Sequence, residues 1–223
     1  NISITASFRE GAVFKYSGWL AVSNVSVVML TNVDRVMLAS AGGIAAVGYY
    51  SVLMEVFNGA TVVAGNISNV LFPIFSKLTG KDIGPIYVRG VRGVLLFVLP
   101  VVSVLLVCGY GLFEFWQGGA VANACGQSLK VVAIAVFVSS VGWVPTVLLL
   151  GLGRARIVAG VQWFQVLVLV VLASILFPAF GLLGAAFVLL VRTTVETGML
   201  LYIAARVTRV SISAFVKNIL MPG

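Results

Sequence analysis

Apolar residues fill six stretches of this chain, and short segments rich in glycine, proline or charge separate them. A helix that crosses a membrane needs roughly 20 predominantly apolar residues. The six stretches that meet this length are residues 17–39, 46–72, 93–113, 129–150, 157–177 and 183–205. The pattern predicts an all-α membrane protein in which residues 17–205 form a lobe of six transmembrane helices.

The two ends of the chain are more polar than this lobe. Residues 1–16 contain Arg9, Glu10 and Lys15 and predict a segment that lies at the membrane interface. Residues 206–223 are similar to an amphipathic surface segment and predict a cytoplasmic tail. The sequence therefore predicts three parts: an interfacial segment, a membrane lobe and a tail.

Composition agrees with a membrane protein. Of the 223 residues, 61% are hydrophobic and 9% are charged, and the mean hydropathy is +1.16. Soluble domains contain about 25% charged residues. The net charge of +8 would indicate nucleic-acid binding in a soluble protein, but here the charge is judged by its position relative to the bilayer. We therefore expect membrane lipid as a partner and no nucleic acid.

Lysine and arginine fall almost entirely on one side of the six-helix arrangement. Of 14 basic residues, eleven lie on that side, Lys130 lies on the other, and Arg35 and Arg192 lie within spans. Because basic loops stay in the cytoplasm, both ends of the chain are predicted to be cytoplasmic.

The residues that catalysis and metal binding need are scarce. The chain has no histidine, its two cysteines are far apart, and it has no Walker A sequence. The segments predicted to face outside carry only Glu114 and Lys130 as charged residues, which is too little for a membrane glycosyltransferase or polymerase site. We expect no enzyme activity, no metal and no cofactor.

Five charged residues lie inside the predicted spans, where each ionised side chain costs about 2.5–3.5 kcal/mol at the helix centre. They are Asp34, Arg35, Glu55, Arg192 and Glu196. Such residues usually face a bundle interior or a watery cavity, which indicates a substrate pathway through a transporter. The alternative for Asp34 and Arg35 is a pair that reaches the outer headgroups and only fixes the depth of its helix.

Arg192 and Glu196 are four residues apart on one helical face and can neutralise each other. In the alternative interpretation, Arg192 and Arg35 attract an anionic ligand such as a diphosphate, which suits a guanidinium group. Glu55 has no basic residue three or four positions away, which favours a functional role. Three of the asparagines in the spans either line the same pathway or bond neighbouring helices. They are Asn24, Asn32 and Asn58.

Several segments, in order and spacing, resemble the second half of polysaccharide-biosynthesis flippases, the O-antigen and exopolysaccharide translocases of the multidrug/oligosaccharidyl-lipid/polysaccharide exporter superfamily. The resemblance covers residues 7–205, and its most specific part runs from Asp34-Arg35 to Ser76. The segments that carry it are residues 18–24, 32–38, 46–51, 70–76, 151–156 and 180–186.

This resemblance implies a protein of two six-helix lobes that face each other across a central cavity and alternate between inward-open and outward-open states. The substrate would be an undecaprenyl-diphosphate-linked oligosaccharide, moved outward across the bacterial cytoplasmic (inner) membrane for O-antigen, capsule or exopolysaccharide synthesis. Arg35 and Arg192 would be the candidates to engage the diphosphate or acidic sugars. The glycan polymerase machinery would be a further partner.

The chain departs from the family pattern because it contains only the carboxy-terminal lobe. Either the amino-terminal lobe belongs to a longer protein or two copies associate. Two other functions stay open: a drug or cation exporter or peptidoglycan-precursor flippase of the same superfamily, and a non-transporting membrane scaffold for glycan assembly.

Overall fold

Five α-helices account for the part of the chain that this computed structural model describes, namely residues 2–77 and 83–208, with side chains described from residue 16. The helices are α1 (Ile2–Val70), α2 (Phe72–Lys77), α3 (Ile83–Gln117), α4 (Gly119–Gly151) and α5 (Ala155–Thr208). No strand occurs within these residues. The prediction of an all-α protein is confirmed.

Four helical segments are long and apolar enough to cross a membrane: Tyr16–Lys77, Ile83–Gln117, Gly119–Gly151 and Ala155–Thr208. Six separate helices were predicted and four continuous segments are found, because the turns predicted near residues 41–46 and 178–181 lie inside α1 and α5. Each turn is reduced to one glycine with a non-helical backbone, Gly43 in α1 and Gly181 in α5, which joins two helical limbs.

The two bends use backbone angles that suit glycine. Gly43 has φ 76° and ψ 178°, and Gly181 has φ 53° and ψ −125°; only a residue without Cβ adopts such positive φ values freely. At the second bend, a Cβ on Gly184 would lie 2.2 Å from the Leu176 carbonyl oxygen. A straight helix would separate two residues eight positions apart by about 12 Å. The chain of α5 therefore turns back at Gly181.

The remaining predicted loops are also shorter than expected. The loop predicted at residues 114–128 contracts to Gly118, which has φ 88° between α3 and α4. Arg89 and Arg92, assigned to a polar loop, lie in the first turns of α3. Helix formation satisfies the backbone hydrogen bonds there, and long basic side chains can still reach water. Of the predicted tail, Arg206 belongs to α5, and residues 209–223 lie outside the described part.

Helix α4 packs against α1, α3 and α5. The core contains large, fully buried aliphatic side chains that include Leu38, Leu53, Leu148 and Leu189. Small residues let the helices approach closely: a Cβ on Gly142 of α4 would meet the Thr197 hydroxyl of α5 at 2.6 Å. Such contacts are typical of helix packing in membranes.

The outer surface of the helices is apolar. Val107 is 82% exposed and Leu96 is 71% exposed, and many other valine, leucine, isoleucine and phenylalanine side chains share this surface. Soluble monomers rarely expose apolar areas of this extent, whereas lipid chains match them. The fold is that of a multi-pass membrane protein.

Candidate functional site

The bend at Gly43 brings Asp34 and Tyr50 together. The two residues are 16 positions apart, which in a straight helix would separate them by about 24 Å. Instead, the Tyr50 hydroxyl donates a hydrogen bond of 2.7 Å to Asp34 Oδ2. The two limbs of α1, residues 2–42 and 44–70, therefore lie side by side, and Asp34 faces inward.

Asp34 also forms an ion pair with Arg192, which comes from the second limb of α5. The Arg192 guanidinium nitrogen (Nη1) lies 3.8 Å from Asp34 Oδ2, and the two residues are 6% and 2% exposed. The same nitrogen donates a long hydrogen bond of 3.5 Å to the Leu30 carbonyl oxygen. This buried pair joins the first and last helices of the chain.

The ion pair leaves hydrogen-bonding capacity unused. Asp34 Oδ1 and Arg192 Nε are both buried and have no hydrogen-bond partner among the described residues. Unsatisfied buried polar atoms cost free energy, and in native proteins they often mark sites where a ligand, an ion or water completes the network.

A cavity of about 250 Å³ opens beside this pair. Its wall combines neutral polar side chains, two aromatic rings and two ionisable groups, Arg192 and Glu196. The neutral polar residues that line it are Thr31, Asn58, Thr61, Ser139, Thr146, Gln162, Gln165 and Thr193. Trp143 supplies the largest aromatic surface, and Val27, Leu30, Met54 and Phe57 supply the remaining apolar wall.

Two glutamines of α5 connect this wall to α1. Ser23 donates a short hydrogen bond to Gln162 Oε1, and Ser26 donates to the same oxygen at 3.3 Å. Gln165 lies beside the carboxyl group of Glu196, but its Nε2 atom forms no hydrogen bond within the described chain. The cavity is therefore polar, and part of its polar surface is still unpaired.

The structure brings some of the predicted pathway residues together and separates others. Arg192, Glu196 and Asn58 line the cavity, and Asp34 lies behind Arg192. The remaining four are exposed and do not line it: Asn24, Asn32, Arg35 and Glu55.

Arg192 and Glu196 share the cavity wall, but the ion pair that Arg192 makes is with Asp34. Asp34 in turn is separated from its sequence neighbour Arg35, which lies on the exposed side of the helix. The pairing across the bundle depends on the bend at Gly43 and on the packing of α1 against α5, and neither is visible in local spacing.

Sequence reasoning missed the residues that complete the site, namely Tyr50, Trp143, Gln162 and Gln165. The two glutamines carried a usable signal, since they are three positions apart on one helical face within the largely apolar stretch 157–177. Tyr50 and Trp143 carried none, because aromatic residues in membrane helices most often pack in the core or at the interface.

Comparison with known proteins agrees with this architecture. Residues 3–119 match the family model described as "Polysaccharide biosynthesis protein". A curated protein of Shigella flexneri named "Putative O-antigen transporter" is 25% identical over 202 residues, which covers 89% of this chain and 48% of that protein. The chain thus spans about half the length of this relative.

Two solved structures share the fold. A MOP superfamily transporter from Pyrococcus furiosus superposes with a TM-score of 0.73 at 18% identity. An outward-facing MATE family multidrug resistance transporter of the MOP superfamily superposes with a TM-score of 0.69 at 19% identity. In both cases the match covers 94% of this chain and 50% of the other.

Proposed function

The chain belongs to the polysaccharide biosynthesis protein family, and from this premise we propose that it forms one lobe of a flippase for lipid-linked oligosaccharides. Its substrate is an undecaprenyl-diphosphate-linked oligosaccharide, moved outward across the bacterial cytoplasmic membrane for O-antigen, capsule or exopolysaccharide synthesis. The protein transports this molecule and makes no change to its covalent bonds. The Shigella flexneri relative, named as an O-antigen transporter, supports this substrate class.

The observation that carries the proposal is the buried Asp34–Arg192 pair beside a polar cavity. Removing two charges from water costs several kcal/mol per ion. An ion pair at 3.8 Å that leaves Asp34 Oδ1 and Arg192 Nε without hydrogen bonds recovers only part of that cost. Apolar residues at these two positions would stabilise the helix bundle as well as the ion pair does. The pair is therefore assigned a role in transport.

The proposed topology has six crossings. The limbs of α1 and of α5 each cross twice, because each helix turns back at its glycine, and α3 and α4 cross once each. The basic residues on one side of this arrangement support a cytoplasmic location for both chain ends, and the proposed topology then has the Gly43 bend outside.

The second lobe is proposed to be supplied by an amino-terminal half of the same protein, since the chain matches half of each relative. The two lobes would enclose a central path and alternate between inward-open and outward-open states. A hydrated path removes the cost of moving a diphosphate through hydrocarbon, while the prenyl tail stays in lipid.

The two arginines that could contact the diphosphate differ in whether their positive charge is already neutralised by a carboxylate. Arg192 is buried and paired with Asp34, whereas Arg35 is exposed. A free guanidinium group binds phosphate oxygens well. Arg35 is therefore the proposed diphosphate contact.

The test is complementation in a strain whose surface glycan depends on the full-length protein. Asp34→Asn and Arg192→Ala are expected to reduce surface glycan by roughly tenfold or more, which corresponds to a loss of about 1.4 kcal/mol. Lys130 is an exposed basic residue that does not line the cavity, so Lys130→Ala is the matched control and should export normally. The amount of each variant in the membrane is measured by immunoblot.

Arg35→Ala in the same assay tests the diphosphate contact, and unchanged export would remove that role. If the wild-type protein restores resistance to cationic drugs and does not restore surface glycan, the drug or cation exporter is the correct function. If neither changes but the glycan assembly complex fails to form, the protein is a scaffold.

A further inference from the structure

Trp143 lies with one face of its indole ring against Gly65. A Cβ built on Gly65 would be 3.5 Å from Cε2, 3.5 Å from Cζ2 and 3.6 Å from Cδ2 of the ring. These three atoms are consecutive in the six-membered ring, so the one in-plane point equally far from them is the centre of that ring, and a point 3.5 Å from each lies above or below the plane. Gly65 therefore approaches the face of the indole, and α1 fixes the plane of the ring.

The rest of this ring is available to the cavity. Trp143 lines the cavity and remains 36% exposed. The face of an indole carries the negative part of its quadrupole. Such a surface attracts the weakly positive C–H groups that a pyranose ring presents on its apolar face.

Neutral polar side chains line the same cavity as this ring. Gln165 is only 3% exposed, and its Nε2 atom has no hydrogen-bond partner among the described residues. Asn58 and Ser139 add an amide and a hydroxyl group to the same wall. Neutral amide and hydroxyl groups beside an aromatic surface suit a ligand with many hydroxyl groups.

The charges of the cavity disfavour a diphosphate. Its lining contains one basic side chain, Arg192, and one acidic side chain, Glu196. Asp34 already neutralises Arg192 from behind. With no excess positive charge, the cavity offers a dianion little compensation for its lost hydration.

The size of the cavity suits one sugar ring. Pockets for drug-sized ligands measure about 300–1,000 Å³, whereas this cavity measures about 250 Å³. It can enclose about one sugar residue, and the rest of an oligosaccharide would lie outside it.

We propose that this cavity binds one uncharged pyranose residue of the transported glycan, with its apolar face stacked on Trp143 and a hydroxyl group accepting a hydrogen bond from Gln165. The inference rests on the proposed function for the identity of the glycan. It assigns recognition of a sugar residue to this lobe. The diphosphate is bound elsewhere on the protein.

The direct test is fluorine NMR of the full-length wild-type protein labelled with 5-fluorotryptophan. The Trp143 resonance is assigned by its absence from the Trp143→Phe variant. The probes are methyl α-D-glucopyranoside, methyl α-D-galactopyranoside, N-acetylglucosamine and inorganic pyrophosphate. We expect at least one sugar to shift the Trp143 resonance in a saturable way and pyrophosphate to leave it unchanged.

Trp163 provides a matched control, because it is 37% exposed and does not line the cavity. Its resonance should not respond to the sugars. In cells, Trp143→Leu should lower surface glycan by roughly tenfold, the equivalent of about 1.4 kcal/mol. Trp143→Phe should retain part of the export, and Trp163→Leu should retain all of it.

The inference is overturned if no sugar shifts the Trp143 resonance, or if pyrophosphate alone shifts it. These results would leave the proposed function intact, since export is scored separately in cells. Conversely, a wild-type protein that binds the sugars at Trp143 but never restores surface glycan would overturn the flippase proposal and not the sugar site.

Discussion

Tyr50 donates its hydroxyl hydrogen to Asp34 Oδ2 at 2.7 Å, and this bond joins the two limbs of α1 across the bend at Gly43. The other contact of that oxygen, with Arg192, is longer at 3.8 Å. Tyr50 is therefore the closest partner of a carboxyl group that the fold buries.

Replacing Tyr50 with phenylalanine should destabilise the protein. Hydrogen bonds to charged groups contribute about 1.5–3 kcal/mol, and the substitution leaves Asp34 with only the longer contact. Thermal unfolding of the purified protein in detergent measures the loss. Tyr49→Phe is the control, because the Tyr49 hydroxyl makes no hydrogen bond to the described residues. Equal melting temperatures for both variants would contradict the assigned bond.

The Asp34–Arg192 pair should show strong energetic coupling. Breaking a buried pair by removing one partner costs about 3–5 kcal/mol, because the other charge is left uncompensated. We expect Asp34→Asn and Arg192→Met each to be strongly destabilising, and the double variant to lose much less than the sum of the two. A double-mutant cycle on thermal unfolding gives the coupling energy. Strict additivity would show that the two charges do not interact.

The sequence was sufficient for the class of the protein and for most of its helical content, because long apolar stretches leave few alternatives. It was less informative about where helices end. The prediction of separate turns followed from clusters of glycine and proline, yet Pro178 lies inside α5 and only Gly181 departs from helical geometry. One residue with positive φ is enough to turn the chain, and its neighbours gain hydrogen bonds by staying helical.

The candidate site was only partly accessible to sequence reasoning for a related reason. Charges in apolar stretches are conspicuous, so Asp34 and Arg192 were identified, but their mutual contact spans 158 positions and depends on tertiary packing. Glu55 was conspicuous for the same reason, and the structure places it on the exposed surface. A charged residue in an apolar span is costly, so it is a candidate for a functional role. Its position in the sequence does not show whether its side chain faces the bundle or the outer surface.

Substitution of Gly43 with alanine should be costly, although nothing crowds the site. A Cβ there would meet no atom within 4 Å, so the entire cost arises from the backbone angles φ 76° and ψ 178°. Holding a residue other than glycine in this region costs on the order of 1–3 kcal/mol. Gly48→Ala is the matched control, since its Cβ also meets nothing and its backbone is helical. We expect the melting temperature to fall for Gly43→Ala and to stay level or rise for Gly48→Ala.

The orientation of the second limb of α1 can be tested at two serines, one beside the bend that precedes this limb and one in the helix that follows it. Ser40 lies beside the Gly43 bend and Ser76 lies in α2; both are exposed, and each hydroxyl bonds only a carbonyl three residues earlier. Ser40→Cys and Ser76→Cys are therefore conservative changes, made in a background where serine replaces Cys108 and Cys125. The proposed topology places Ser40 outside and Ser76 in the cytoplasm. A membrane-impermeant maleimide should label the first variant in intact cells and the second only after permeabilisation. The reverse pattern would invert the orientation derived from the basic residues, and equal labelling of both would contradict a hairpin that crosses the membrane twice.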